Sequence, residues 1–188
     1  MSLVELIAQA DERGLAVSAL GCLDRCLPLL GADAGDDEVL RPLWTCLAEG
    51  GEEWGARLAA VRGVLDLLDL GDARDQAAEL VRRMAGAAPP EARAGGWREW
   101  ADACSVAALQ VHRMLDAAGD AGGGVAARRE GRTEGMSPLV AAELRRQTRI
   151  LTLLSSGGAG GLRQARDVST EGRRVLRAVV SRRARSGA

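Results

Sequence analysis

Leu3, Leu6, Ile7 and Ala10 recur at three- and four-residue spacing, and the same helical period returns in almost every apolar stretch of the chain. Ser2 and Glu5 form an S-x-x-E capping box ahead of the first of these stretches, which predicts a helix from Leu3 that Gly14 ends. A second helix is expected from about Leu15 until Pro28 removes a backbone donor and disturbs it. A third is expected from about Asp37 to Glu49, with its acids at the positive end of the helix dipole and Gly50 and Gly51 stopping it.

EEWGARLAAVRGVLDLLDLG predicts a fourth helix, and DARDQAAELVRRMAG a fifth with Asp72 as its N-cap. GAAPPEARAGG reads as a connection. Trp97 to about Ala118 is the longest periodic stretch, with Trp97, Trp100, Cys104, Val111 and Leu115 on one side. Trp97 and Trp100 are three apart, so they share a face and are expected to anchor the core together. GDAGGGVAARREGRTEGM has no period and reads as a flexible loop. Ser137 and Pro138 open another helix in N-cap and N1 positions, running to about Ser155. SSGGAGG is expected to break the chain. A last helix runs from Leu162 to about Arg183, with Ala165, Val168, Val175, Leu176, Val179 and Val180 on its apolar face. No stretch predicts a strand.

The pattern therefore predicts an all-α fold, an irregular bundle of about eight short helices. The alternative is a short solenoid, because VLRPLWTCLAEGGEEWGARLAAVRGVLDLL resembles one HEAT-type helical hairpin, with Arg57 early in its second helix. The resemblance covers residues 39–68 alone, and no second copy follows at a regular period, although repeat architectures need about three units.

Composition changes this picture little. Ala, Leu, Arg and Glu favour helices, and with no Phe or Tyr the only aromatic residues are four tryptophans. Asn and Lys are also absent, and the four missing types share AT-rich codons. A GC-rich bacterial source, as in actinobacteria, is expected, so arginine in place of lysine carries little functional weight. The N-terminal residues lack the pattern of a secretory signal and no 18-residue apolar run occurs, so a cytoplasmic location with reduced thiols is expected.

Charge changes it more. Residues 1–120 carry 11 Arg against 21 acids, and residues 121–188 carry 14 Arg against 5. The expected organisation is an acidic helical body at 1–120, a Gly/Arg-rich loop at 121–137, and basic helices at 138–188 packed on the body as one domain. On the last helix Arg163, Arg166, Arg173 and Arg177 follow a stripe opposite the apolar face, with Arg174 beside it. These five are the candidate interaction residues. They serve the solvated surface, a protein partner or second copy, or nucleic acid, whose phosphates arginines neutralise. The acidic body and the lack of interleaved aromatics weigh against nucleic acid.

The chemistry-bearing residues are few. Cys22 and Cys26 are one helical turn apart and could face one soft metal, with Cys46 as a further ligand. Both thiols, however, lie within the apolar stripe of Ala19, Leu23, Leu27 and Leu30, where free cysteine packs as a small hydrophobe. No Cys-x-x-Cys or spaced second pair accompanies them. Cys104 and His112, eight apart, are too distant along a helix to share an ion. His112 is the sole histidine, no G-x-S-x-G elbow or phosphate loop occurs, and acid pairs such as Asp36/Asp37 and Glu52/Glu53 stand at helix starts. The expectation is a non-enzymatic protein with no cofactor and no catalytic residue, acting through protein contacts as a regulator or adaptor. Nucleic-acid association and thiol-based metal or redox chemistry are the alternatives.

Overall fold

The computed structural model describes residues 1–31, 38–68, 75–91, 94–117, 123–156 and 158–186. Among these residues the fold is all-α, without strands. Nine helices follow in order: α1 Leu3–Gln9, α2 Glu12–Cys26, α3 Arg41–Ala48, α4 Trp54–Leu68, α5 Gln76–Gly86, α6 Ala94–Leu115, α7 Val125–Arg129, α8 Pro138–Ser156 and α9 Gly158–Ser186. A 3-10 turn, Leu27–Leu30, continues α2 through Pro28 and ends at Gly31 in the left-handed region.

The core is organised around α2. Every residue from Gly14 to Cys26 is buried, because α3, α5, α6, α8 and α9 surround the helix. Contacts of α1 with α8, and of α2 and the 3-10 turn with α9, join the two ends of the sequence. A solenoid, in which each unit touches only its neighbours, has no such contacts. The hairpin over 39–68 is present as α3 against α4, but it is one hairpin packed into a bundle. The basic C-terminal helices α8 and α9 pack directly on the acidic body.

Trp54, Trp97 and Trp100 form a second centre where α4 meets α6. Their ring centroids are 4.8 to 5.9 Å apart in edge-on or tilted arrangements, favourable for aromatic quadrupoles. Trp97 and Trp100 are buried, and Trp100 Nε1 donates to the Met84 carbonyl at 2.8 Å. Trp54 Nε1 donates to the Pro89 carbonyl at 2.7 Å.

Several helix limits differ from those the sequence predicts. The capping box of Ser2 and Glu5 is present, but α1 ends at Ala10 and Asp11 caps α2 by accepting from the Gly14 amide at 2.7 Å. Gly14 thus lies in the first turn of α2 and ends nothing. Asp75 caps α5, and the expected cap Asp72 lies outside the described residues, as do Asp36 and Asp37. The expected loop at 121–137 contains α7, whose Arg128 and Arg129 are buried. The break expected in SSGGAGG falls after Ser156, where α8 ends, but the last helix starts at Gly158 and not at Leu162. There Gly161 lies so close to α8 that a Cβ would stand 2.6 Å from the Leu153 carbonyl oxygen. That glycine is required by helix packing, not by a turn.

Candidate functional site

Polar side chains that the sequence places on the outside of α2 lie at the centre of the molecule. Ser18, Gly21, Asp24 and Arg25 form the side of α2 that faces α8 and α9, and Cys22 borders it, its Sγ accepting from Arg25 Nη2 at 3.4 Å. Arg25 is 0% exposed and grips Glu143 of α8 with two parallel bonds, Nε to Oε2 at 2.8 Å and Nη2 to Oε1 at 2.6 Å. Two-point pairing of this kind is the strong form of the ion pair. Its Nη1 also reaches Ser169 Oγ of α9 at 3.4 Å.

Around Glu143 the network continues. Gln147 Nε2 donates to Glu143 Oε1 at 2.9 Å, and Ser105 Oγ of α6 donates to Gln147 Oε1 at 2.7 Å. Arg129 of α7 donates to Ser105 Oγ at 3.1 Å and pairs with Asp102. Beside it, Asp24 accepts from Trp44 Nε1 at 3.0 Å and pairs with Arg173. The Arg25–Glu143 set thus ties α2, α6, α7, α8 and α9 together, and the adjoining Asp24 set joins α2 to α9 through Arg173 and to α3 through Trp44.

Burial opposes ionisation of Glu143, yet Arg25, His112 and the bonds it accepts hold its carboxyl below the ordinary value. Burial pushes the Asp24 carboxyl up, against the pull of Arg173 and the indole donor. His112 Nδ1 lies 2.7 Å from the Ala108 carbonyl, an acceptor only, so Nδ1 carries the proton. Its Nε2 faces Glu143 Oε2 at 3.6 Å. Burial lowers the affinity of this imidazole for a second proton, with Glu143 pulling the other way and Arg25 and Arg146 adding to the lowering.

The four cysteines are free and buried. Burial pushes the Cys22 thiol up to about 12 and raises Cys26 and Cys104 well above the ordinary range. The thiolate, the form that binds soft metals, is therefore disfavoured at all three. Cys46 is engaged elsewhere, donating to the Glu52 carbonyl at 2.8 Å. Among the described residues no group of three or more His, Cys, Asp or Glu is placed to hold a metal ion.

The five candidate arginines of α9 do not share one environment. Arg163 and Arg174 are exposed, and Arg166 and Arg177 are half-buried. Arg173 is only 4% exposed, and its membership of an outward stripe is corrected: its guanidinium is spent on Asp24 inside the fold. Val175, expected on the buried face, is 37% exposed. Of the 14 arginines after residue 120, Arg128, Arg129 and Arg173 are buried and the other 11 keep contact with solvent.

Sequence reasoning missed the buried polar set because its members are scattered from Asp24 to Arg173. One local signal was available: Glu143 and Gln147 stand four apart on α8, between Val140 and Ile150, where polar residues interrupt an apolar face. It also missed the outer side of α4. There Ala56, Ala59, Ala60, Gly63, Val64 and Leu67 are all exposed, Leu67 by 82% and Val64 by 43%. No helix among the described residues is long and apolar enough to cross a membrane. No protein-family model, curated protein or solved structure matches the chain.

Proposed function

We infer that the protein acts by binding other proteins, as a non-enzymatic regulator or adaptor of the cytoplasm. The observation that carries this reading is the outer side of α4. The outer side of a surface helix is ordinarily polar, yet between Arg57 and the exposed Asp66 α4 leaves Ala56, Ala60, Gly63, Val64 and Leu67 uncovered in a row at helical spacing. The row is one helix wide, and its small residues permit close approach of another backbone. The fitting occupant is the apolar face of an amphipathic helix from a partner protein. The sealed chemistry supports the same reading, since His112, Glu143 and all four thiols are buried away from any substrate.

A second reading has its own support in the 11 solvent-contacting arginines of residues 121–188, which face only four exposed acids, Glu130, Glu134, Asp167 and Glu171. On that reading the outer side of α8 and α9 holds nucleic-acid phosphates. Val175 and Val179 among these arginines favour a protein surface instead, because mixed apolar and arginine patches are typical of protein interfaces.

The two readings separate in one set of experiments. Affinity-tagged protein from its source cells is expected to retain a stoichiometric protein partner, and Ala60→Glu with Leu67→Glu is expected to release it while the helical circular dichroism is unchanged. Duplex DNA and single-stranded RNA are expected to bind weakly at physiological salt. Tight nucleic-acid binding that Arg174→Gln with Arg177→Gln abolishes in folded protein, with the α4 changes silent, would replace the first reading by the second.

A further inference from the structure

Helices α8 and α9 run antiparallel, and a groove of about 780 Å³ lies along their outer seam. Its lining comes from positions 142, 145, 146 and 149 of α8 and 164, 167, 168 and 171 of α9, each set following one helical face. The α8 wall is basic, with Arg145, Arg146 and Arg149. The α9 wall carries Asp167 and Glu171. Arg146 is turned inward, its side chain only 13% exposed and its Nη2 3.7 Å from Glu171 Oε1. Arg145 and Arg149 are exposed, as is Asp167, and none of these three makes an ion pair among the described residues.

The level of the charges along the groove matters. Arg146 meets Glu171 and the α9 backbone at Gly172, while Gly161 meets Leu153. This antiparallel register puts Arg145 at the level of Glu171 and Arg149 at the level of Asp167. Consider a second copy laid face to face on this seam. A two-fold axis parallel to the helices sets the partner's α8 over α9 with the levels preserved, so each arginine meets an acid of the other chain, twice over. A two-fold axis across the helices would set α8 over α8, arginine against arginine. The charges thus select one isologous arrangement and reject the other.

We propose that the α8/α9 seam is a self-association surface, on which a second copy of this chain docks with Arg145 opposite Glu171 and Arg149 opposite Asp167 in both directions. The proposal deepens the protein-contact reading by naming one partner, and it leaves α4 free for another. The groove floor offers little apolar area beyond Val168 and Ala142, so the dimer rests on charge and is sensitive to salt.

The test is charge reversal followed by mixing, read by sedimentation equilibrium on the full chain. The unaltered protein is expected to dimerise in low salt and to dissociate as salt is raised. Arg145→Glu with Arg149→Glu gives a seam that is acidic on both walls at these positions, and Asp167→Arg with Glu171→Arg gives one that is wholly basic. Each variant alone is expected to dimerise roughly tenfold or more weakly than the parent. Mixed in equal amounts, the two are expected to form a heterodimer. All four positions are solvent-exposed, and circular dichroism checks that both variants remain folded. A parent that stays monomeric in low salt, a dimer indifferent to either reversal, or variants that do not pair on mixing would overturn the proposal. The Ala60→Glu/Leu67→Glu variant keeps the two readings apart: it is expected to dimerise normally while losing its heterologous partner.

Discussion

His112 shows how much a single buried side chain can report. Its Nδ1–H is satisfied by the Ala108 carbonyl, and its Nε2 presents a lone pair toward Glu143 at 3.6 Å, with Arg25 and Arg146 as the nearby positive groups. Because burial lowers the folded-state pKa below the unfolded value of about 6.5, the unfolded chain takes up a proton first as pH falls. The stability associated with this group is then fully present above about pH 6.5 and is lost as pH falls through the window between that value and the lower folded one. Urea unfolding from pH 8 to pH 5 should show this loss, and His112→Gln should remove that component of the slope. A slope unchanged by the substitution would show that other groups carry it. Nothing in the sequence around His112 foretold its setting, since Glu143 lies 31 residues away on another helix.

Between elements, the Arg25–Glu143 pair is the joint of α2 with α8. Gly172 on α9 makes room for it: a Cβ there would stand 2.4 Å from Arg25 Cδ. Breaking a buried pair by removing one partner leaves an uncompensated charge, at a cost of about 3–5 kcal/mol, whereas replacing both with apolar residues is far less costly. Arg25→Met and Glu143→Leu should each destabilise by about that amount, and the double variant should lose much less than the two together. Denaturant unfolding of the three variants measures the coupling directly. Additive losses would mean that the pair does not act as a unit. Other joints follow the same economy of arginine. Arg62 of α4 donates to the carbonyls of Ala85, Gly86 and Ala88 at the end of α5, and Arg98 of α6 donates to those of Ile7 and Ala8 at the end of α1. Positive side chains at helix C-termini satisfy orphan carbonyls and complement the dipole.

Helical period and capping residues made most of these elements legible. Ser2 with Glu5, and Ser137 with Pro138, mark two helix starts within the chain, and the apolar face of α6 was plain from its spacing. Glycine misled three times, first at Gly14, which lies in the first turn of α2 and ends no helix. At Gly161 it serves helix-to-helix approach within α9, and before α7 a glycine-rich stretch conceals the burial of Arg128 and Arg129. Gly161 answers to a distant neighbour, Leu153, and Arg129 to the Asp102/Ser105 side of α6, whereas Arg128 donates to the carbonyls of Arg132 and Glu134 in its own segment. Likewise Asp24 and Arg25 look like the wet side of an amphipathic helix, because a sequence shows which residues share a face but not whether that face meets water or α8 and α9. The burial of Cys26 was readable for the converse reason, since Leu23, Leu27 and Leu30 on its side of the helix are apolar, whereas Cys22 stands at the edge of that side, where its Sγ accepts from Arg25.

At the scale of the whole molecule, the charge division of the sequence survives folding at the surface, although Arg173 crosses it to pair with Asp24. The chemistry is enclosed, the arginines face outward along α8 and α9, and α4 presents an apolar row without a cover. The central claim is that this row is where the protein meets its partner. A photo-crosslinking residue placed at Leu67, 82% exposed at the far end of the row, tests it in the source cells, with the same residue at Arg83 on α5 as the control. The account predicts one discrete protein adduct from position 67, none from position 83, and loss of the adduct when Ala60→Glu is added. Equal labelling from both positions, or an adduct from 67 that Ala60→Glu leaves intact, would contradict it.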